Sequence, residues 1–181
     1  HAIKRNNENI NDFIPYKLED INCDIPYDIS NLDSAIISKL RLMTAEDLQN
    51  ISEVTEGIEN RILSSANMSY SFETLVENVK NKRYTTSKIR RMIISALIGF
   101  TKDIYSPMPQ YIRILGMNKV GMTILKQAKG ICKVPIITKT ADFKEQSPQF
   151  NLDVRATNIA MLCNPIPTHR IGNADLKKSP I

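Results

Sequence analysis

Thr86-Ser87-Lys88-Ile89-Arg90-Arg91-Met92-Ile93-Ile94-Ser95-Ala96-Leu97-Ile98-Gly99-Phe100 is the stretch on which the fold turns. Ile89, Met92, Ile93, Ala96, Leu97 and Phe100 recur at steps of three and four, the period of a helix with one buried face. Ile94 and Ile98 fall on the opposite side. A helix that is apolar all round is buried all round, so the segment from Met92 onward reads as the central helix of a bundle, with Thr86 as its expected cap.

Toward the N-terminus, Ser71 precedes Phe72, Leu75, Val76 and Val79, a short helix with a hydroxyl cap. Thr44 and Asp47 have the spacing of a capping box. The helix they open carries Leu48, Ile51, Thr55, Ile58 and Ile62 along one stripe, interrupted by Gly57. Glycine costs about 1 kcal/mol against alanine inside a helix, so another backbone is expected to approach closely there. Ser30 with Asp33 repeats the start signal for a helix bearing Leu32, Ile36, Ile37 and Leu40. Residues 30–102 are therefore expected to form four helices. Farther upstream, Ala2-Ile3-Lys4-Arg5-Asn6-Asn7 reads as the end of a helix, and Ile14-Pro15 to Ile25-Pro26 as a linker. The chain opens on His1 rather than Met, which points to a piece of something longer, with chemistry expected upstream.

Beyond Pro107 and Pro109 the period changes. Tyr111-Ile112-Arg113-Ile114-Leu115 is strand-like. Lys119 to Gly130 is helical with Val120, Ile124, Leu125 and Ala128 inward, and Val134-Pro135-Ile136-Ile137-Thr138 is a second short strand. Strand, helix and strand in about 30 residues make a βαβ unit with parallel strands, and Pro135 restricts the second strand to an edge. Val154 to Leu162 reads as a short helix, and the tail from Pro165 as loose. The expected class is mainly α (α+β): a linker over 1–29, a helical bundle over 30–106, a small α/β unit over 107–164 and a tail over 165–181.

Composition narrows the function. With 42% apolar and 24% charged residues, the chain has an ordinary globular balance. No apolar run approaches the roughly 20 residues of a membrane span, and no signal peptide opens the sequence. Cys23, Cys132 and Cys163 are odd in number and far apart, which fits a reducing, cytoplasmic setting. Residues 1–78 carry six basic and fourteen acidic groups, a net −8; residues 79–181 carry eighteen and five, a net +13. That asymmetry points to a polyanionic partner for the basic half, to attraction between the halves, or to both.

Catalytic patterns are mostly missing. The two histidines, His1 and His169, are far apart, no Cys or His pair has metal-ligand spacing, and the six glycines do not cluster into a phosphate loop. Glu53, Glu56 and Glu59 share a helix, but an ion-paired helix face with Arg61 outweighs acid–base work for them. No catalytic residue, metal site or cofactor is assigned to the chain itself.

Lys80 to Arg91 is different. Six of its twelve residues are basic (Lys80, Lys82, Arg83, Lys88, Arg90 and Arg91) and none is acidic. Cations are disfavoured in the first turn of a helix, where the macrodipole is positive, yet Lys88, Arg90 and Arg91 load it. Converging cations at a helix start make a phosphate site, and Tyr84 offers a face for an unpaired base. Arg113 and Lys119 extend the basic track. The alternative is a helical interaction module whose basic loop meets an acidic protein surface, including that of its own first half. A helix-turn-helix over 72–100 is disfavoured, because its second helix is apolar on both faces.

Four ordered blocks carry a resemblance. Thr55-Glu56-Gly57-Ile58-Glu59-Asn60-Arg61-Ile62, the basic segment from Lys80 to Arg91, Tyr111-Ile112-Arg113-Ile114-Leu115-Gly116-Met117-Asn118 and Val134-Pro135-Ile136-Ile137-Thr138-Lys139 resemble the C-terminal region of the bacterial tRNA(Met) cytidine acetate ligases. The resemblance covers nearly the whole chain, most firmly Thr44 to Lys139. It implies an enzyme that uses ATP and acetate to make acetyl-adenylate and then acetylates N4 of the wobble cytidine of elongator methionine tRNA. It also implies an upstream nucleotide-binding α/β domain of the HIGH nucleotidyltransferase type, whose His-x-Gly-His signature this sequence does not contain. On that basis His1 to Arg5 looks like the continuation of the helix that closes that domain. The chain is expected to bind tRNA and to be non-catalytic alone.

Overall fold

Ile89, Met92, Ile93 and Ala96 are shielded from solvent in the computed structural model, which describes residues 27–55, 57–143 and 147–177. Among the described residues there are eight α-helices: α1 (Asp33–Arg41), α2 (Ala45–Gln49), α3 (Glu59–Met68), α4 (Phe72–Val79), α5 (Thr86–Ile98), α6 (Lys119–Lys129), α7 (Pro148–Met161) and α8 (Ala174–Lys177). Two short strands, β1 (Ile112–Arg113) and β2 (Ile136–Ile137), pair in parallel. The protein is thus mainly helical with a small α+β element. None of the described helices is long and apolar enough to cross a membrane.

α5 packs on α1, α4 and α7. Ile94, on the opposite side, and Leu97, on the first face, are both partly buried against the same core, as is Ile159 of α7. The all-round apolar pattern of α5 is therefore matched by neighbours on more than one side.

The stripe from Leu48 to Ile62 is not one helix. α2 ends at Gln49, and Ile51 forms an antiparallel bridge with Thr101. Ser52 N–H donates to the Phe100 carbonyl at 2.9 Å, and Lys102 N–H to the Asn50 carbonyl at 2.8 Å. Gly57 lies at φ +88°, where only glycine is comfortable, and a Cβ there would meet nothing within 4 Å. The expected close approach is thus replaced by a left-handed break before α3. Leu48, Ile51, Val54, Ile58 and Ile62 are buried all the same, since burial follows the side chain and not the helix.

Capping boxes form at Thr44–Asp47 and Ser71–Thr74. Thr85, not Thr86, caps α5. Ser30 does not cap α1: the Asp28 carboxylate accepts its N–H and opens a 3-10 turn, Ile29–Leu32. Asp33 instead accepts the Phe72 N–H at 2.8 Å, tying α1 to the start of α4.

In the βαβ unit Ile112 faces Ile136 and Arg113 faces Ile137. Pro135, which has no N–H, contributes its carbonyl to Ile112 N at 2.9 Å. The crossover helix α6 has no buried residue, and Val120 and Ile124 are 67% and 60% exposed. The inward placement is corrected for Val120 and Ile124, while Leu125 and Ala128 are half-buried: two strands of two residues offer too little surface to cover the whole face of a helix.

The tail is not loose as far as it is described. α8 is held by the buried Asp175, which accepts from Arg113 Nη2 at 3.0 Å and from Thr157 Oγ1 at 2.5 Å, while its carbonyl accepts from Thr140 Oγ1. The expected upstream helix end, the linker to Pro26, Glu56 and residues 178–181 lie outside the described residues.

Candidate functional site

The basic segment occupies the junction between α4 and α5, and a framework of polar bonds sets its shape. Arg61 of α3 lies across the end of α4, donating to the carbonyls of Val79 (2.7 Å), Asn78 (3.0 Å) and Lys80 (2.8 Å). A guanidinium there satisfies orphan carbonyls and meets the negative end of the helix dipole. Arg61 therefore caps a helix instead of pairing with Glu59. Arg41 does the same at α3, donating to the carbonyls of Ala66, Asn67 and Ser69.

After Lys80, Asn81 Oδ1 accepts the N–H groups of Arg83 (2.8 Å) and Tyr84 (3.0 Å), a side-chain-closed turn. Lys82 and Arg83 remain exposed at its tip. Tyr84 turns inward: it is 8% exposed, and its hydroxyl lies 2.8 Å from Thr55 Oγ1. The Arg83 guanidinium and the Lys88 ammonium sit 5.4 and 5.2 Å from its ring centroid, within cation–π range. The expectation that Tyr84 stacks on a base is corrected. Its ring anchors the loop and carries two cations over it.

Thr85 Oγ1 accepts the Lys88 N–H at 3.3 Å, so one backbone donor at the start of α5 is already taken up by the cap. The cations divide into two groups. Arg90 pairs with Glu73 at 2.5 Å and lies 5.3 Å from the Phe72 ring centroid. Arg91 pairs with Glu53 at 3.5 Å, and Lys80 with Glu77 at 3.6 Å. Pairs of this kind, on or near the surface, contribute about 0–1 kcal/mol. Lys82, Arg83 and Lys88 make no ion pair among the described residues.

Arg113 does not extend this track. Its ion pair with Asp175 fastens α8 to β1, and the hydrogen bond to Asp175 raises its pKa. Lys119 is exposed in the first turn of α6, on the separate βαβ unit. The paired-carboxylate pattern also dissolves. Glu59 is buried and accepts from Gln49 Nε2 (3.0 Å) and the Gly57 N–H (2.8 Å). These bonds, the one from Gln49 foremost, hold its carboxyl below the usual glutamate range. Among the described residues no group of three His, Cys, Asp or Glu side chains could hold a metal ion.

Beside the junction, Ser52, Glu53, Thr55, Lys88, Lys102 and Tyr105 line a cleft of ≈ 370 Å³. Lys102 and Tyr105 were not legible as site residues. The long-range bridge between Ile51 and Thr101 brings them here, and no local pattern announces it.

Residues 1–175 match the family model described as HIGH Nucleotidyl Transferase. The stretch assigned above to a C-terminal domain apart from the nucleotidyltransferase thus falls inside the match to that family. Relatives include the tRNA(Met) cytidine acetate ligase of Acetivibrio thermocellus, 36% identical over 145 residues, covering 75% of this chain and 35% of that protein. The tRNA(Met) cytidine acetate ligase of Thermosipho africanus is 34% identical over 176 residues, covering 84% and 42%. The crystal structure of Thermotoga maritima TmcAL bound with alpha-thio ATP superposes with a TM-score of 0.72 at 30% identity, over 84% of this chain and 41% of that one. The chain therefore spans well under half the length of these relatives.

Proposed function

The chain belongs to the HIGH nucleotidyl transferase family, and on that premise we propose that it serves an ATP-dependent tRNA(Met) cytidine acetate ligase by holding tRNA on the α4–α5 junction. The observation that carries this reading is the exposed pair Lys82 and Arg83, left without carboxylate partners among the described residues while neighbouring cations are paired. Lys82, Arg83 and Lys88 make the first phosphate contacts. Lys80, Arg90 and Arg91 join by exchanging carboxylate for phosphate. ATP and acetate are substrates of the whole ligase, and the wobble cytidine of the tRNA is the acceptor. The contribution of these residues is positioning, which converts an encounter into an oriented reaction. A tRNA substrate fits the cytoplasmic setting expected from the sequence.

The test is tRNA affinity as a function of salt. Lys82→Ala with Arg83→Ala should weaken binding and reduce the slope of log K against log salt by about 0.7 to 0.9 for each contact removed. Arg90→Ala with Arg91→Ala should do so less. Unchanged affinity and slope in the first double variant would sink the proposal. The interaction-module reading would then be the better one, favoured by the ion pairs of Arg90 with Glu73 and Arg91 with Glu53.

A further inference from the structure

We infer that the cleft beside the junction holds one unpaired nucleotide of the bound RNA, its base on Tyr105 and its phosphate on Lys88 and Lys102. The inference rests on the tRNA-binding reading above and names the stacking residue that Tyr84, being buried, cannot be.

Tyr105 is 61% exposed, and its ring packs at 43° against Phe100 with centroids 6.4 Å apart. It is a largely open aromatic ring that leans on a second one, and an exposed ring is what a stacking platform requires. Two cations reach the same cleft, Lys88 from the start of α5 and Lys102 from the loop after it. The one lining carboxylate, Glu53, is engaged by Arg91. Asp103 is not among the lining residues, and Thr101 in the same turn holds its carboxyl below the usual aspartate range. Ser52 and Thr55 complete the walls; the Thr55 hydroxyl is bonded to Tyr84, which leaves that of Ser52 for the ribose 2′-OH of RNA.

The walls are pinned. The bonds from Ser52 N–H to the Phe100 carbonyl and from Lys102 N–H to the Asn50 carbonyl hold the two segments together, and Ile104 N–H closes onto the Thr101 carbonyl at 3.2 Å just before Tyr105. At ≈ 370 Å³ the cleft falls at the lower end of the roughly 300–1,000 Å³ of small-ligand sites, a size for one nucleotide and not for a duplex. Lys88 belongs both to the cleft and to the junction. A strand whose phosphates follow Lys82 and Arg83 reaches the cleft through it.

The experiment measures binding of the full chain to tRNA, to a short single-stranded oligoribonucleotide and to duplex RNA of the same length. Tyr105→Ala should weaken tRNA and single-strand binding by roughly 5- to 150-fold, the effect of one stacked base, with the salt slope unchanged. Tyr105→Phe should bind like wild type. Lys102→Ala should lower the slope by about 0.7, and Tyr70→Ala, an exposed tyrosine outside the cleft, should change nothing. If wild type binds tRNA and Tyr105→Ala binds it equally well, the inference is overturned while the junction proposal stands. A Tyr105→Phe variant as weak as Tyr105→Ala would also overturn stacking. If wild type does not bind tRNA at all, the junction proposal falls and the cleft falls with it.

Discussion

α5 and α6 carry apolar residues at the same helical spacing and end in opposite environments. In α5, Ile89, Met92, Ile93 and Ala96 are sealed, because α1, α4 and α7 all lie against it. In α6, Val120 and Ile124 face solvent and no residue is buried, because its partner surface is a sheet of two two-residue strands. Periodicity reports that a helix has an apolar side. Whether that side has a neighbour depends on what the rest of the chain can bring to it.

The strongest way to break this contrast is a charge in α5. Ile93→Asp should lower stability by several kcal/mol, about 3 or more, since it buries a carboxylate with no partner. A thermal melt like that of wild type would place α5 at the surface and end the comparison. The glycines sharpen it at a smaller scale. Gly57 and Gly99 both have positive φ, +88° and +71°, but a Cβ at Gly57 meets nothing while one at Gly99 comes 2.8 Å from Arg155 Nη1. The left-handed conformation costs an alanine roughly 1–2 kcal/mol, and Arg155 is the far end of a flexible, exposed side chain. The two alanine variants should therefore lose similar amounts in denaturant titrations. A much larger loss at Gly99 would show that Arg155 is fixed over the end of α5.

Glu59 gives a pH-dependent handle on the bundle side. Its carboxyl is held below the ordinary range, chiefly by Gln49. A depressed carboxylate contributes stability that is fully present above its unfolded pKa of about 4.3 and is lost as pH falls through the folded value. Glu59→Gln should therefore be less stable than wild type at pH 7, and the gap should close in melts taken below about pH 4. A gap constant across that range would assign the effect to packing alone. The smallest effect belongs to α6: Val120→Asp should change stability by no more than about 0.5 kcal/mol, as for an ordinary surface position. A large loss would mean that the bare face is covered after all.

Several features could be read locally because they depend on neighbours within a turn. The capping box at Thr44 and the hydroxyl cap at Ser71 are of this kind, whereas the parallel βαβ unit was legible from the change of period between short apolar runs and a helix. The cap of α5 lay one residue from the expected one, since Thr85 and Thr86 carry the same hydroxyl and only the backbone decides between them. The candidate site was less legible. The charge cluster from Lys80 to Arg91 was visible, but not which cations are paired, because Glu53 and Glu73 arrive from other elements. Tyr84 was misread for the same reason: its partner, Thr55, lies across the bundle.

By itself the sequence determined most of the helices, their apolar faces and the excess of positive charge in the second half, all of which follow from residue type and short spacing. Tertiary structure alone decided that the stripe from Leu48 to Ile62 is divided between α2, the bridge at Ile51 and α3, that Asp175 docks the tail, and that Tyr84 is buried while Tyr105 stands open beside Lys102. The physical reason is that burial and ion pairing are properties of surfaces in contact. The contacts that matter here, Ile51 with Thr101 and Arg113 with Asp175, join residues far apart in the chain.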